Sequence, residues 1–442
     1  MPEAHRNDIE KKVFLFLQGP PNFFARHLAD ELQRRGHRAL RINLCTGDFI
    51  YWLGRPATNY RHRLDHWEAF LRAYVAREGV THILYYADRL PYHRIAIKTA
   101  DDLGLIAISY EFGYLRPDWI TLERRGMSAQ SHFPDDPARI RQIACQVPEP
   151  DLTARYRFPF HKEALHEVTF NLSNFFLFFL YPFYDADKVY NRMLEYLSYI
   201  PRLLNGSRAA RHANATIERL IADGSPFFVF PLQMQNDYQV RANSPYRHLS
   251  EVIGETLRSF AAHAPPDTQL VFKVHPLDNG LEHWPSVLSR LAAENGISTR
   301  VTLIDGGDLM TLLRHARGVV LINSTVGIHA LQADCPVKVM GIATYDITGL
   351  THQESLDSYW RAPTKPDPDL RDDLIRALAA SIQVKGNFYT KEGQARAIPE
   401  IADRLIDGRV NEPDAFVDPP PRLARAAALG VPGLGNNIDP LS

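Results

Sequence analysis

Val319-Val320-Leu321-Ile322-Asn323-Ser324-Thr325-Val326-Gly327 reads as an apolar strand that stops at an asparagine and turns at once into a helix. Ser324 and Thr325 bring side-chain oxygens to that helix start, so both are expected to cap free amides there. Upstream, Phe272-Lys273-Val274-His275-Pro276 ends a second apolar run. Its proline stops the strand and leaves the His275 imidazole in the loop that follows. Further upstream, Phe227 to Phe230 leads into Pro231-Leu232-Gln233 and on to Asp237. Polar residues after successive strands, one set opening a helix, predict an α/β domain that holds a phosphate-bearing ligand at the carboxyl ends of its strands.

The surrounding pattern extends that domain. Helices are expected around Leu249 to His263 and Trp284 to Asn295, with strands at Gln269 to Val274, Val301 to Ile304, Gly318 to Ile322 and Val337 to Met340. A similar alternation fills the first half. Val13 to Leu17 is a strand, and Gln18-Gly19-Pro20 is a loop whose glycine permits close backbone approach. A helix follows in which Phe24, Leu28 and Leu32 recur every four positions before Gly36. Strands at Arg38 to Leu44, His82 to Tyr86 and Leu105 to Tyr110 come next, the last two followed by the polar clusters Asp88-Arg89 and Glu111 to Asp118. Residues Phe160 to Arg208 read as mostly helical. The fold expected is α/β and GT-B-like: two Rossmann-like domains facing a cleft, 1–208 with a helical linker and 209–410, then a poorly ordered tail at 411–442.

Composition narrows the classes. The 442 residues hold 50 basic and 51 acidic side chains, a balance that argues against nucleic acid as partner. Cys45, Cys145 and Cys335 are too few and too scattered for a disulfide framework or a zinc knuckle, which fits a reducing cytoplasm. No Gly-x-Gly-x-x-Gly follows the first strand, so a dinucleotide site is not supported. The polar start of the chain has no signal-peptide core, and no apolar run is long enough to span a bilayer. Phe175 to Phe183 comes nearest, and is expected as a buried helix packed between domains, with an aromatic surface at a lipid interface as the alternative.

Several side chains have the chemistry of a group-transfer site. Asn323, Ser324 and Thr325 suit a phosphate, with plain helix capping as the competing reading. His275 can donate to a phosphate or a carboxylate, and Lys273 adds charge. Asp237 has the chemistry of a nucleophile or base in glycosyl transfer, or is a turn residue. Glu111 is the best carboxylate of the first half for acid/base work. Arg89 and Arg116 can grip anions bidentately or serve structural ion pairs.

These segments together resemble the KpsS-type proteins of the capsule polysaccharide synthesis family of Gram-negative bacteria. The resemblance is carried by Phe16 to Pro20 with Phe23-Phe24, by Arg41-Ile42-Asn43 with Gly47-Asp48, and by Glu111 to Asp118 with Thr121 and Glu123. It continues through Pro231-Leu232-Gln233 to Asp237, Lys273 to Pro276 and Asn323 to Gly327, and covers roughly Val13 to Tyr389. It implies a retaining β-Kdo transferase that moves Kdo from CMP-Kdo to a phosphatidylglycerol-type lipid, starting the linker of a capsular polysaccharide. In that scheme Asp237 is the nucleophile, Glu111 the base and His275 the group that stabilises departing CMP. Gln233, Lys273, Pro276, Asn323, Ser324 and Thr325 hold the donor, while Gln18, Gly19, Asp88, Arg89 and Arg116 face the acceptor. No cofactor or metal is expected. Phe112 stands where many relatives are expected to have a second acid beside Glu111.

The resemblance also implies a cytoplasmic protein, peripheral on the inner face of the inner membrane, working with a KpsC-like transferase and the capsule export complex. Three other readings stay open: an elongating transferase of KpsC type, an export or scaffold protein without catalysis, and a transferase using another CMP-sugar.

Overall fold

The computed structural model describes residues 11–157, 160–186 and 192–432. Its strands are β1 (Val13–Phe16), β2 (Arg38–Asn43), β3 (Thr58–Asn59), β4 (His82–Tyr86), β5 (Ile106–Phe112) and β6 (Trp119–Arg124), then β7 (Phe227–Pro231), β8 (Gln269–Val274), β9 (Val301–Asp305), β10 (Gly318–Leu321), β11 (Val337–Val339) and β12 (Gln383–Lys385). They make two sheets, ordered β12-β6-β5-β4-β1-β2-β3 and β11-β10-β7-β8-β9. The second sheet is wholly parallel. The first is parallel from β3 to β5, and β6 and β12 join it antiparallel.

Parallel strands need cover on both faces, and the side chains divide accordingly. In the first sheet Phe14, Phe16, Leu84, Ile108 and Tyr110 enter one core. Their neighbours Val13, Leu15, Ile83, Tyr85 and Ala107 enter the core on the other face. In the second sheet Phe228, Phe230, Leu270, Phe272 and Val320 share one core with the helix Leu249–His263. The α/β class with parallel sheets is thus the class expected from the sequence.

The chain divides into two units, and the boundaries differ from the expected ones. The first unit comprises Met1–Met127, Asp151–Asp187 and Ser381–Pro413, and the second Ser128–Pro150, Lys188–Ala380 and Asp414–Ser442. The return of the chain to the first unit has a plain cause. Gln383 of β12 donates to Thr121 Oγ1 at 2.9 Å and accepts from the Tyr114 amide at 2.8 Å. Behind it, the helix Lys391–Ile406 places Ile398, Ile401 and Leu405 in the core that holds Phe14 and Phe24. The helix Arg192–Ala222, expected as a linker of the first domain, packs on β9 of the second unit.

Two further expectations are corrected. The described part of the tail is built into the fold. The Arg422 guanidinium is buried and donates to the carbonyls of Phe133 (2.6 Å), Pro134 (3.2 Å) and Thr344 (2.7 Å), just ahead of a short helix, Leu423–Ala428. Asn436-Asn437 lies outside the described residues. The aromatic stretch is exposed rather than buried: the helix Phe160–Phe176 ends in a turn where Phe176, Phe178 and Phe179 are 62%, 64% and 61% accessible. Among the described residues no helix is long and apolar enough to cross a membrane.

Candidate active site

In open parallel sheets, ligands bind beyond the carboxyl ends of the strands, where the strand order reverses. In the second unit that point lies between β7 and β10, because the chain runs from β7 to β8 and β9 on one side and to β10 and β11 on the other. The loops leaving β7 and β10 are the ones that carry Gln233, Asp237 and Asn323.

Side-chain amides couple these loops. Gln233 is 5% exposed, donates to Asn323 Oδ1 at 3.0 Å and accepts from the Asn323 amide at 3.3 Å. The Asn323 side-chain nitrogen donates onward to the Gln239 carbonyl at 2.7 Å. Asp237 caps the helix Tyr238–Ala242 by accepting from the Gln239 amide at 2.8 Å, and its other oxygen lies 3.5 Å from Gln233 Nε2. The carboxylate is half-buried. It is therefore a turn residue, and one that stands at the switch point.

The neighbouring positions divide. Ser324 Oγ accepts from the Val326 amide at 3.2 Å, but Thr325 makes no capping bond. The Ser324 carbonyl accepts instead from the Tyr345 hydroxyl. Gly327 makes that possible, since a Cβ there would lie 2.3 Å from the Tyr345 ring. His275 stands in the loop after β8, beside β7, with Nδ1 accepting from the Leu277 amide at 3.1 Å. In the neutral ring this puts the proton on Nε2, which is then the donor. Pro276 is exposed in the same loop. Lys273 turns away from the others: its ammonium is buried and donates to the Gly306 carbonyl at 2.6 Å. Burial lowers its pKa, against the pull of Asp305 and Asp308.

The first unit reverses its strand order between β1 and β4. Gln18 and Gly19 follow β1, and Asp88 and Arg89 follow β4, so the topology gathers all four there. Gln18 is buried and accepts from the Tyr184 hydroxyl at 3.1 Å. A Cβ on Gly19 would lie 3.0 Å from that of Ala25 and 3.2 Å from the Tyr110 hydroxyl, so a larger residue would crowd both. Asp88 accepts from the Met127 amide at 2.9 Å, and Arg89 is buried 3.8 Å from the Asp88 carboxylate. Glu111 is half-buried near the end of β5, opposite Thr121. Burial first, then the Glu111 charge, pushes the Tyr86 phenol well above its usual range. Arg116 is exposed and lies 4.7 Å from the centre of the Phe112 ring.

Two residues of this region have no role in the sequence reading beyond their place in the resemblance. Arg41 and Asp48 form an ion pair at 2.7 Å, with side chains 3% and 2% exposed. Arg41 also donates to Asn43 Oδ1 at 3.0 Å and to the Leu17 carbonyl, and Asp48 accepts from the Leu44 amide at 3.0 Å. They line a narrow cavity with Gly19, Asn22, Tyr51 and Phe170. The available signal was a basic and an acidic residue bracketing the end of a strand.

Comparison with known proteins gives this architecture its context. The Capsule polysaccharide export protein KpsS of Escherichia coli is 31% identical over 379 residues, 86% of this chain and 97% of its own length. The Capsule polysaccharide modification protein LipB of Neisseria meningitidis serogroup A is 29% identical over 394 residues, 85% of this chain and 91% of the relative. Among solved structures, the KpsC beta Kdo 2,7 transferase of Thermosulfurimonas dismutans aligns with 90% of this chain and 99% of its own at 15% identity, with a TM-score of 0.43. Residues 81–389 match the Capsule polysaccharide biosynthesis protein family, to which this chain belongs.

Proposed function

We propose that the protein is a retaining glycosyltransferase that moves Kdo from CMP-Kdo to a phosphatidylglycerol-type lipid at the inner face of the inner membrane, beginning the linker of a capsular polysaccharide. The KpsS-type resemblance supports this choice of donor and acceptor. The observation that carries a transferase reading is Asp237: a half-buried carboxylate at the switch point, steadied by the Gln239 amide and neighboured by a Gln233–Asn323 pair. A nucleophile held before the substrate arrives pays little entropy in the transition state.

The chemistry proceeds in two displacements. One Asp237 oxygen bonds to the anomeric carbon of Kdo as that carbon's bond to the phosphate oxygen breaks, and CMP leaves with the electron pair. The glycerol hydroxyl of the lipid then bonds to the same carbon, the ester to Asp237 breaks, and the hydroxyl proton passes to a carboxylate. Glu111 of the first unit is the candidate for that base. The His275 Nε2 proton and the Ser324 and Thr325 hydroxyls are suited to the charge on the leaving phosphate. Two inversions at one carbon give net retention.

The test is incubation with CMP-Kdo and a short-chain phosphatidylglycerol, read by mass spectrometry. The expected product is lipid bearing one Kdo, reduced at least about a thousandfold by Asp237→Ala with the circular dichroism spectrum unchanged. Addition only to a lipid already carrying Kdo would make the protein an elongator. Silence with both acceptors, in a folded protein that binds CMP, would point to another donor or to an export role.

A further inference from the structure

We infer that the first unit seats on an anionic phospholipid bilayer through the phenylalanine turn that ends the helix Phe160–Phe176. The surface stands on its own geometry, and membrane binding without transferase activity would leave it intact.

Hydrogen bonds anchor the turn while its rings stay exposed. Thr46 Oγ1 donates to the Leu177 carbonyl at 3.1 Å, and the Gly47 amide donates to Asn174 Oδ1 at 2.8 Å. The Tyr181 hydroxyl donates to Asn59 Oδ1 at 2.6 Å, with its ring buried. Gly47 lets the helix come close, since a Cβ there would lie 2.2 Å from the Phe170 ring. Against this fixed backbone, Phe175, Phe176, Phe178, Phe179 and Phe183 are 46%, 62%, 64%, 61% and 50% exposed. Leu165, two to three turns back on the same helix, is 66% exposed, and Phe49 and Leu53 on the adjoining segment are 38% and 57% exposed.

Charge beside the turn selects the occupant. The Arg61 guanidinium lies over the Tyr181 ring, 5.6 Å from its centre, and Arg61, His62 and Arg63 form an exposed run. Asp65 is exposed too and lies 3.5 Å from Arg63, so the run is not purely basic. A protein-binding patch intersperses polar groups at roughly one hydrogen bond per 100–200 Å². Phe175-Phe176-Leu177-Phe178-Phe179 offers no polar side chain at all. An apolar turn with arginines beside it suits the boundary of headgroups and acyl chains, reached to a depth of about 5–10 Å.

The experiment is co-sedimentation of the full chain with vesicles of phosphatidylethanolamine and phosphatidylglycerol, and with phosphatidylcholine vesicles as the uncharged comparison. Binding is expected to the anionic vesicles. Phe176→Ser with Phe179→Ser should weaken it at least about tenfold. Arg61→Glu with Arg63→Glu should weaken it by a similar factor and remove most of its salt dependence, with thermal melting unchanged in both. Absence of vesicle binding would overturn the inference. So would equal binding by both variants, or a phenylalanine variant that only converts a dimer to a monomer in sedimentation, which would assign the surface to a second copy of the chain.

Discussion

Each unit reverses its strand order beside its first strand, β1 in one and β7 in the other, and the two reversal points are furnished by opposite means. The second unit uses neutral amides. Gln233 and Asn323 satisfy one another and their neighbouring backbone, leaving Asp237 half-buried at the rim. The first unit uses charge, with Arg41 and Asp48 sealed inside beneath a glycine loop. Burial pushes the Asp48 carboxyl up although Arg41 pulls it down, so desolvation outweighs the pair's attraction. Amides hold a carboxylate in place at little electrostatic cost, whereas a sealed ion pair fixes the backbone around it and is itself removed from solvent. The first arrangement suits chemistry and the second suits shape.

The contrast is broken most strongly at Asp48. Asp48→Ala leaves Arg41 buried without its partner and should destabilise the first unit by about 3–5 kcal/mol in urea unfolding. Replacing both, as Arg41→Met with Asp48→Leu, should restore most of that loss. A stable Asp48→Ala protein would mean that the pair does not govern the loop.

A smaller effect comes from pH. Burial pushes His82 and His93 of the first unit each down to about 4. The unfolded chain takes up those protons from about pH 6.5 downward while the fold excludes them until about pH 4. Stability is therefore full above the unfolded value and falls as pH drops through that window, by roughly 2 kcal/mol per histidine at pH 5. His82→Gln should flatten the dependence measured by urea midpoints, and an unchanged slope would place the acid sensitivity elsewhere.

The smallest expected effect is at Gln233. On the proposed mechanism Gln233 positions Asp237 and does not itself react, so Gln233→Ala should lower kcat about tenfold, with little change in the KM for CMP-Kdo and in melting temperature. A rise in KM alone would make Gln233 a donor contact and sharpen the comparison in another direction.

Much of the fold was legible because its strands are short apolar runs ended by polar loops. β4, β8 and the helix Leu249–His263 occupy the residues that the pattern predicts. β6 and β12 were not legible. β6 carries a fully buried Glu123, and β12 is three residues with a lysine at its end, so neither shows an apolar run. The site was legible by loop but not by contact. Asp237 and Asn323 stand where strand ends predict, yet their link through Gln233 depends on β7 and β10 being neighbours, which is tertiary information. Lys273 shows the reverse: its long stem reaches the Gly306 carbonyl, a contact invisible in Lys273-Val274-His275-Pro276 itself.

A covalent intermediate on Asp237 is tested most directly by intact-protein mass spectrometry after mixing with CMP-Kdo in the absence of lipid, followed by peptide mapping. The expected result is a protein heavier by one Kdo residue, with the addition on Asp237 and lost when phosphatidylglycerol is supplied. Rapid transfer to lipid with no adduct, and with inverted configuration in the product, would contradict it.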